Sequence, residues 1–171
     1  MKIQPPKLVF FSPTGTTKSV LRGITRGLNQ RSVEEIDITT PPARKHHLQT
    51  TEHELLVVGV PVYMGRVPGL LMDWLHGTQA RNTPTVCVVV YGNRAYEDAL
   101  LELRDVLSVR GCIPIAGAAF VGEHSFSSPE LPTAQGRPDA SDLRRAEEFG
   151  REVLEKLRST SSLKDLPDLC V

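Results

Sequence analysis

Two stretches of this 171-residue sequence are apolar without interruption, Leu55-Leu56-Val57-Val58-Gly59-Val60 and Val86-Cys87-Val88-Val89-Val90. A strand with one face in water alternates apolar and polar residues, so an unbroken run reads as a strand buried on both faces, the condition of a central strand in a helix-covered parallel sheet. The flanking segments fit that frame. Leu8, Val9, Phe10 and Phe11 form an earlier apolar strand, and Val20, Leu21, Ile24 and Leu28 then recur at helical spacing to about Asn29. Val33, Ile36 and Ile38, interleaved with Glu34, Glu35 and Asp37, predict a short polar strand at a sheet edge. Pro68 opens a helix expected to turn Leu70, Leu71, Trp74 and Leu75 inward, and a further helix from about Tyr96 to Arg110 buries Leu100, Leu103, Val106 and Leu107. Ile113, Ile115, Ala118, Phe120 and Val121 make a fifth strand, and a last helix from about Asp139 carries Leu143, Ala146, Phe149, Val153, Leu154 and Leu157. Five strands alternating with helices predict a three-layer α/β fold, a doubly wound parallel sheet in the order 2-1-3-4-5.

The ligand crevice of such a sheet lies at the carboxyl ends of strands 1, 3 and 4. Each of those ends carries an unusual loop. After strand 1 comes Ser12-Pro13-Thr14-Gly15-Thr16-Thr17, small and hydroxyl-rich, leading into a helix whose positive N-terminal end faces the same spot. That pattern suits a phosphate. It is not a nucleoside triphosphate loop, since Thr17-Lys18-Ser19 lacks the glycine before the lysine, and its single glycine fails the dinucleotide fingerprint. After strand 3 comes Pro61-Val62-Tyr63-Met64-Gly65-Arg66, and after strand 4 Tyr91-Gly92-Asn93-Arg94-Ala95-Tyr96. Tyrosines at both places offer faces for stacking on an aromatic ring.

Lys plus Arg and Asp plus Glu number 20 each, a balance that argues against nucleic-acid and membrane-surface partners. The length fits one domain over residues 1–158, with 159–171 read as a tail or linker. Met1 to Pro6 has no apolar signal core, and a cytoplasmic location is expected. Cys87, Cys112 and Cys170 lie far apart with no Cys-x-x-Cys pair, so no iron–sulfur cluster of ferredoxin type is expected on these residues, and the first two read as small core residues. The adjacent His46 and His47 read as a solvated turn, because consecutive residues rarely converge on one ion. The segment from Gly122 to Pro138 has no periodicity and stands beside the strand 4 loop, where it caps the crevice, meets a partner or simply connects.

In its three loops and their order the chain resembles the flavodoxins over roughly residues 7–157. The resemblance implies FMN, with Ser12, Thr14, Gly15, Thr16 and Thr17 around its phosphate. It places Pro61, Val62, Tyr63, Met64, Gly65 and Arg66 on one side of the isoalloxazine ring, and Tyr91, Gly92, Asn93, Arg94 and Tyr96 on the other. Gly122-Glu123-His124-Ser125-Phe126 and Gly136-Arg137-Pro138-Asp139 are similar to the flavodoxin half of proteins that fuse a flavodoxin to a bacterial two-cluster ferredoxin. That likeness implies an iron–sulfur, ferredoxin-like or flavoprotein redox partner, in trans or in a C-terminal domain beyond this sequence. Flavodoxins are strongly acidic and this chain is neutral, with Arg66 and Arg94 in the loops expected to frame the ring.

Two functions follow from the resemblance: an electron-transfer protein shuttling electrons between redox partners, or an NAD(P)H-dependent FMN or quinone reductase on the same fold. A phospho-accepting receiver needs acidic residues where Ser12 and Pro61 stand, and is rejected.

Overall fold

The computed structural model describes residues 5–30 and 32–160. Its five main strands are β1 (Lys7–Phe10), β2 (Glu34–Asp37), β3 (Leu56–Pro61), β4 (Thr83–Tyr91) and β5 (Cys112–Val121). They form one parallel sheet in the spatial order β2-β1-β3-β4-β5, the order the alternation of elements predicted. The helices are α1 (Thr16–Gly27), α2 (Met72–His76), α3 (Ala99–Ser108) and α4 (Ala140–Ser159).

The period-two alternation of β1 divides the core. Leu8 and Phe10 face the layer of α1 and α4, among Leu21, Ile24, Val153 and Leu157. Val9 and Phe11 face the layer of α2 and α3, among Trp74, Leu75, Leu103 and Leu107. The unbroken runs of β3 and β4 serve both layers at once, and Leu56, Val57, Val86, Cys87, Val88 and Val89 are all fully buried. Burial pushes the Cys87 thiol well above the usual range, so it is a core residue and not a nucleophile. On the α1–α4 side the two helices approach closely through glycine: a Cβ on Gly27 would lie 2.0 Å from the Glu147 carbonyl oxygen, and one on Gly150 2.1 Å from that of Ile24. At the open edge, β2 is largely exposed, and its Glu35 takes a two-pronged ion pair from Arg22 of α1 at 2.7 and 2.9 Å.

The structure departs from the sequence reading in three places. The helix after Pro68 is a 3-10 turn, Gly69–Leu71, followed by the five residues of α2; the turn leaves Leu70 51% exposed while Leu71, Trp74 and Leu75 stay buried. Tyr96 lies outside α3, which begins at Ala99. Two short parallel strands, Gln49–Thr50 and Gln79–Ala80, make a second sheet that periodicity did not signal. The segment after β5 lacks helix or strand but is tied down: Glu123 N–H donates to the Arg137 carbonyl at 2.8 Å, His124 N–H to that of Thr133 at 3.1 Å, and Ser127 N–H to that of His124 at 2.8 Å. Its far end is fixed by Arg137, whose guanidinium grips both carboxylate oxygens of buried Asp142. Asp142 in turn completes a capping box with Asp139 at the start of α4.

His46 and His47 are exposed, though neither is idle. The His46 carbonyl accepts the Trp74 indole N–H at 2.9 Å, and the His47 ring covers Gly77. Cys170 and most of the tail lie outside the described residues. Among the described residues no helix is long and apolar enough to cross a membrane.

Candidate functional site

The phosphate-loop candidate is built by the end of β1. Gly15 takes the left-handed conformation that few other residues adopt (φ 83°) and starts α1 without a side-chain cap. Ser12 braces the loop instead. Its N–H donates to the Thr39 hydroxyl at 3.0 Å, its carbonyl accepts the Gly15 N–H at 3.2 Å, and its hydroxyl oxygen accepts the Lys18 N–H at 3.0 Å. The first-turn N–H groups of Thr16 and Thr17 have no acceptor within the helix and are open to an anion. The Thr14 and Thr16 hydroxyls lie 3.2 Å apart at the mouth. Thr17 is 1% exposed, and its hydroxyl is buried without a hydrogen-bond partner.

A buried hydroxyl left unpaired costs about 1–3 kcal/mol, so its presence calls for a ligand atom to complete it. Thr14, Thr16 and Thr17 line one end of a cleft whose walls continue through Pro61, Val62 and Tyr63, then Tyr91 and Gly92. The residues present therefore fit a phosphate at that end.

The second loop is a tight turn. Tyr63 and Arg66 exchange backbone hydrogen bonds at 2.9 and 3.1 Å, and both central residues have positive φ, 51° at Met64 and 75° at Gly65. This is the primed hairpin turn, which favours glycine at both centres; here the first centre is a methionine, 96% exposed. Gly65 is required for a second reason. A Cβ there would lie 2.1 Å from Oε2 of Glu97, whose side chain packs against the turn.

Arg66 does not face the cleft. Its guanidinium makes two hydrogen bonds, at 2.7 and 3.0 Å, to Glu102 of α3, whose carboxylate also accepts the Val67 N–H at 2.8 Å. The Arg66 guanidinium holds the Glu102 carboxyl below the usual carboxylate range, with the Val67 N–H assisting against a smaller opposing effect of burial. Arg66 is thus a strut between the turn and α3, which corrects the expectation that both loop arginines frame the ring. Arg94 does line the cleft and has no ion-pair or hydrogen-bond partner among the described residues.

Beyond the phosphate end the cleft opens to a volume of ≈ 670 Å³, within the range of small-molecule sites. Val62, Tyr63, Met64 and Gly65 form one wall, Gly92, Arg94, Ala95 and Glu97 the other, and His124, Ser125 and Phe126 the third. Of the residues singled out from sequence, Ser12, Gly15, Arg66, Asn93 and Tyr96 do not line the cleft. Tyr96 packs edge-on against Tyr91 at 5.3 Å between ring centroids, and Tyr63 edge-on against Phe11 at 6.4 Å. The residues that the sequence reading left off the site are Pro13, Val90, Ala95, Glu97 and the stretch Gly122 to Phe126. Only the last carried a signal, its position after the strand beside the site.

Comparison with known proteins bears on this geometry. The family model described as NADPH-dependent FMN reductase matches residues 20–126. No curated protein matches the sequence. Among solved structures, oxidised flavodoxin 1 from Bacillus cereus is similar at 14% identity with a TM-score of 0.63, over 92% of this chain and 100% of that one. A flavodoxin from the domain Archaea aligns at 16% identity and a TM-score of 0.57, covering 91% of this chain and 99% of that one. The apo form of an NADH:FMN oxidoreductase aligns at 17% identity and a TM-score of 0.55, covering 93% and 92%. At such identities these structures establish the flavodoxin-like fold.

Proposed function

The chain belongs to the NADPH-dependent FMN reductase family, and from that premise we propose that it holds one FMN non-covalently in this cleft and passes electrons through it between redox partners. The observation that carries the reading is the buried, unpartnered Thr17 hydroxyl at the head of α1, opening onto a cleft at the carboxyl ends of β1, β3 and β4. Thr14, Thr16 and Thr17, with their N–H groups, would hold the phosphate, and the turn Tyr63–Arg66 and the loop Gly92–Glu97 would flank the ring. When bound, FMN supplies a centre that takes up electrons one or two at a time. The chain's own contribution is binding, orientation and the charge around the ring.

The partner we propose is an iron–sulfur protein of ferredoxin type, or a second flavoprotein, met at the rim where Met64 and Phe126 are 96% and 83% exposed. The similarity of Gly122–Phe126 and Gly136–Asp139 to the flavodoxin half of ferredoxin fusions supports that choice. A second reading, NAD(P)H-dependent reduction of FMN or a quinone, is favoured by one observation: the ≈ 670 Å³ of open cleft leaves room beside a ring for a second planar group.

One experiment addresses both. The purified protein should show the two-banded absorption of an oxidised flavin. Under anaerobic conditions a transfer protein should bleach with a reduced ferredoxin and stay yellow with NADPH alone. Rapid bleaching by NADPH would select the reductase, and failure to bind FMN would reject both readings.

A further inference from the structure

His124 stands where two parts of the cleft meet, lining both the phosphate end and the wide end. Its ring fills the space that a side chain on Gly92 would need: a Cβ there would lie 2.3 Å from His124 Cδ2. The loop after β4 and the segment after β5 are thereby locked together at this imidazole. On the opposite side of the ring, Nδ1 accepts the Phe126 N–H at 3.1 Å. A neutral imidazole that accepts at Nδ1 carries its proton on Nε2. Nε2 adjoins Cδ2, on the side of Gly92, and has no partner among the described residues.

We propose that His124 is the proton-exchanging side chain of this cleft: it offers its Nε2–H toward the bound redox group, and takes a proton from solvent onto Nδ1 when that group gains negative charge. The proposal rests on the reading of the cleft as an FMN site. Protonation at Nδ1 leaves that nitrogen no lone pair with which to accept the Phe126 N–H, so the bond breaks as the proton arrives. The cost is small, because Phe126 is 83% exposed and its N–H is free to turn to water. The result is a positive charge added at the cleft wall without moving the backbone that seals Gly92.

The other charged and titratable groups around the ring do not supply the same function. Glu123, its neighbour in the chain, also lines the phosphate end, and its carboxylate is engaged in accepting the Gly136 N–H at 3.0 Å. From the loop after β4, Arg94 and Glu97 line the wide end and carry opposite charges; Tyr63 and Tyr91 contribute phenol rings to the cleft walls. Among the described residues lining this point, His124 is the one imidazole, the side-chain type suited to exchanging protons near neutrality.

The test is an NMR titration of imidazole signals in the FMN-loaded protein, oxidised and then chemically reduced. The chain has 5 histidines, and the spectrum of His124→Gln identifies the signal of interest by its loss. A unit negative charge within about 8 Å should raise the pH at which His124 titrates by about one unit or more in the reduced protein, and the Phe126 amide signal should move with the same titration. The other four histidines serve as controls and should titrate alike in both states. If FMN binds and His124 titrates at the same pH oxidised and reduced, the inference is overturned while the FMN reading stands. If the protein takes up no FMN, the reading of the cleft fails and the inference with it.

Discussion

The two ends of the cleft are made in different ways. At the phosphate end, Ser12, Gly15 and the first turn of α1 are fixed to one another and to Thr39 through main-chain N–H groups and short hydroxyls. At the ring end the walls are side chains from three loops, exposed at Met64 and Phe126, with non-glycine residues at positive φ in Met64, Asn93 and Glu97. The first end is preformed by the fold, and a ligand group there needs little further ordering. The second stores local backbone strain, which is tolerated where neighbouring contacts hold it, and its shape depends on which side chains meet. Binding strength should therefore come from the phosphate end, and redox behaviour from the ring end.

The largest expected effect breaks the first half of that contrast. Thr14→Ala combined with Thr17→Ala removes two hydroxyls from a charged ligand group, each worth about 1.5–3 kcal/mol, so FMN should bind on the order of a hundredfold or more weaker. Riboflavin, which has no phosphate, should bind parent and variant alike in the same fluorescence titration. Thr17→Val alone sharpens the point: it should weaken FMN yet stabilise the empty protein by up to about 1 kcal/mol, because it deletes an unpaired buried hydroxyl. Destabilisation of the empty protein would mean that Thr17 is simply a structural cap.

At the ring end, Gly65→Ala meets both the positive φ and the Glu97 carboxylate, and should cost about 2–3 kcal/mol in denaturant unfolding. Adding Glu97→Ala removes the clash and leaves the backbone cost of about 1–2 kcal/mol. If the second substitution gives no recovery, the Gly65–Glu97 contact does not shape this wall.

The third segment of the wall hangs from Asp142. The Arg137 guanidinium holds its carboxyl below the usual aspartate range, outweighing the opposing effect of burial. A depressed folded-state value means that this stabilisation is present above about pH 4 and is lost as the pH falls through that lower value. Asp142→Asn should lose about 2 kcal/mol at pH 7 and flatten the acid limb of the stability curve. An acid limb identical to the parent's would show that the pair contributes nothing to folding.

The smallest effects separate two arginines, Arg94 in the cleft wall and Arg66 turned away from it. Arg66 is tied to Glu102 and Arg94 is free, so Arg66→Ala should leave the flavin potential within about 10 mV of the parent, while Arg94→Ala should make full reduction harder by about 40 mV, the equivalent of roughly 1 kcal/mol for one exposed charge. Equal shifts in the two variants would contradict the difference in their roles.

The same division explains what could be read from the sequence. Continuous apolar runs such as Val86–Val90 and the spacing of Leu21 and Ile24 report burial directly, so strand order and layers were legible. The phosphate loop was legible because its chemistry lies in consecutive residues. Leu70 was misplaced because the 3-10 turn after Pro68 shifts the helical phase by part of a turn, while Leu71, Trp74 and Leu75 remain on one face. Arg66 was assigned to the ring because its partner lies 36 residues away on α3, a pairing that no local pattern encodes. Glu97 and His124 were left off the site for a related reason: each enters by filling the space beside a glycine of another loop, and a glycine does not announce what will cover it.

The central claim, that an anion-binding loop anchors a flavin in this cleft, is tested most directly by titrating the flavin-free protein with FMN and with riboflavin and following flavin fluorescence. The account predicts quenched, saturable binding of FMN and binding of riboflavin at least about a hundredfold weaker, since the phosphate forfeits two or more charge-assisted hydrogen bonds when it is absent. Equal affinity for the two flavins, or no binding of either, would contradict it.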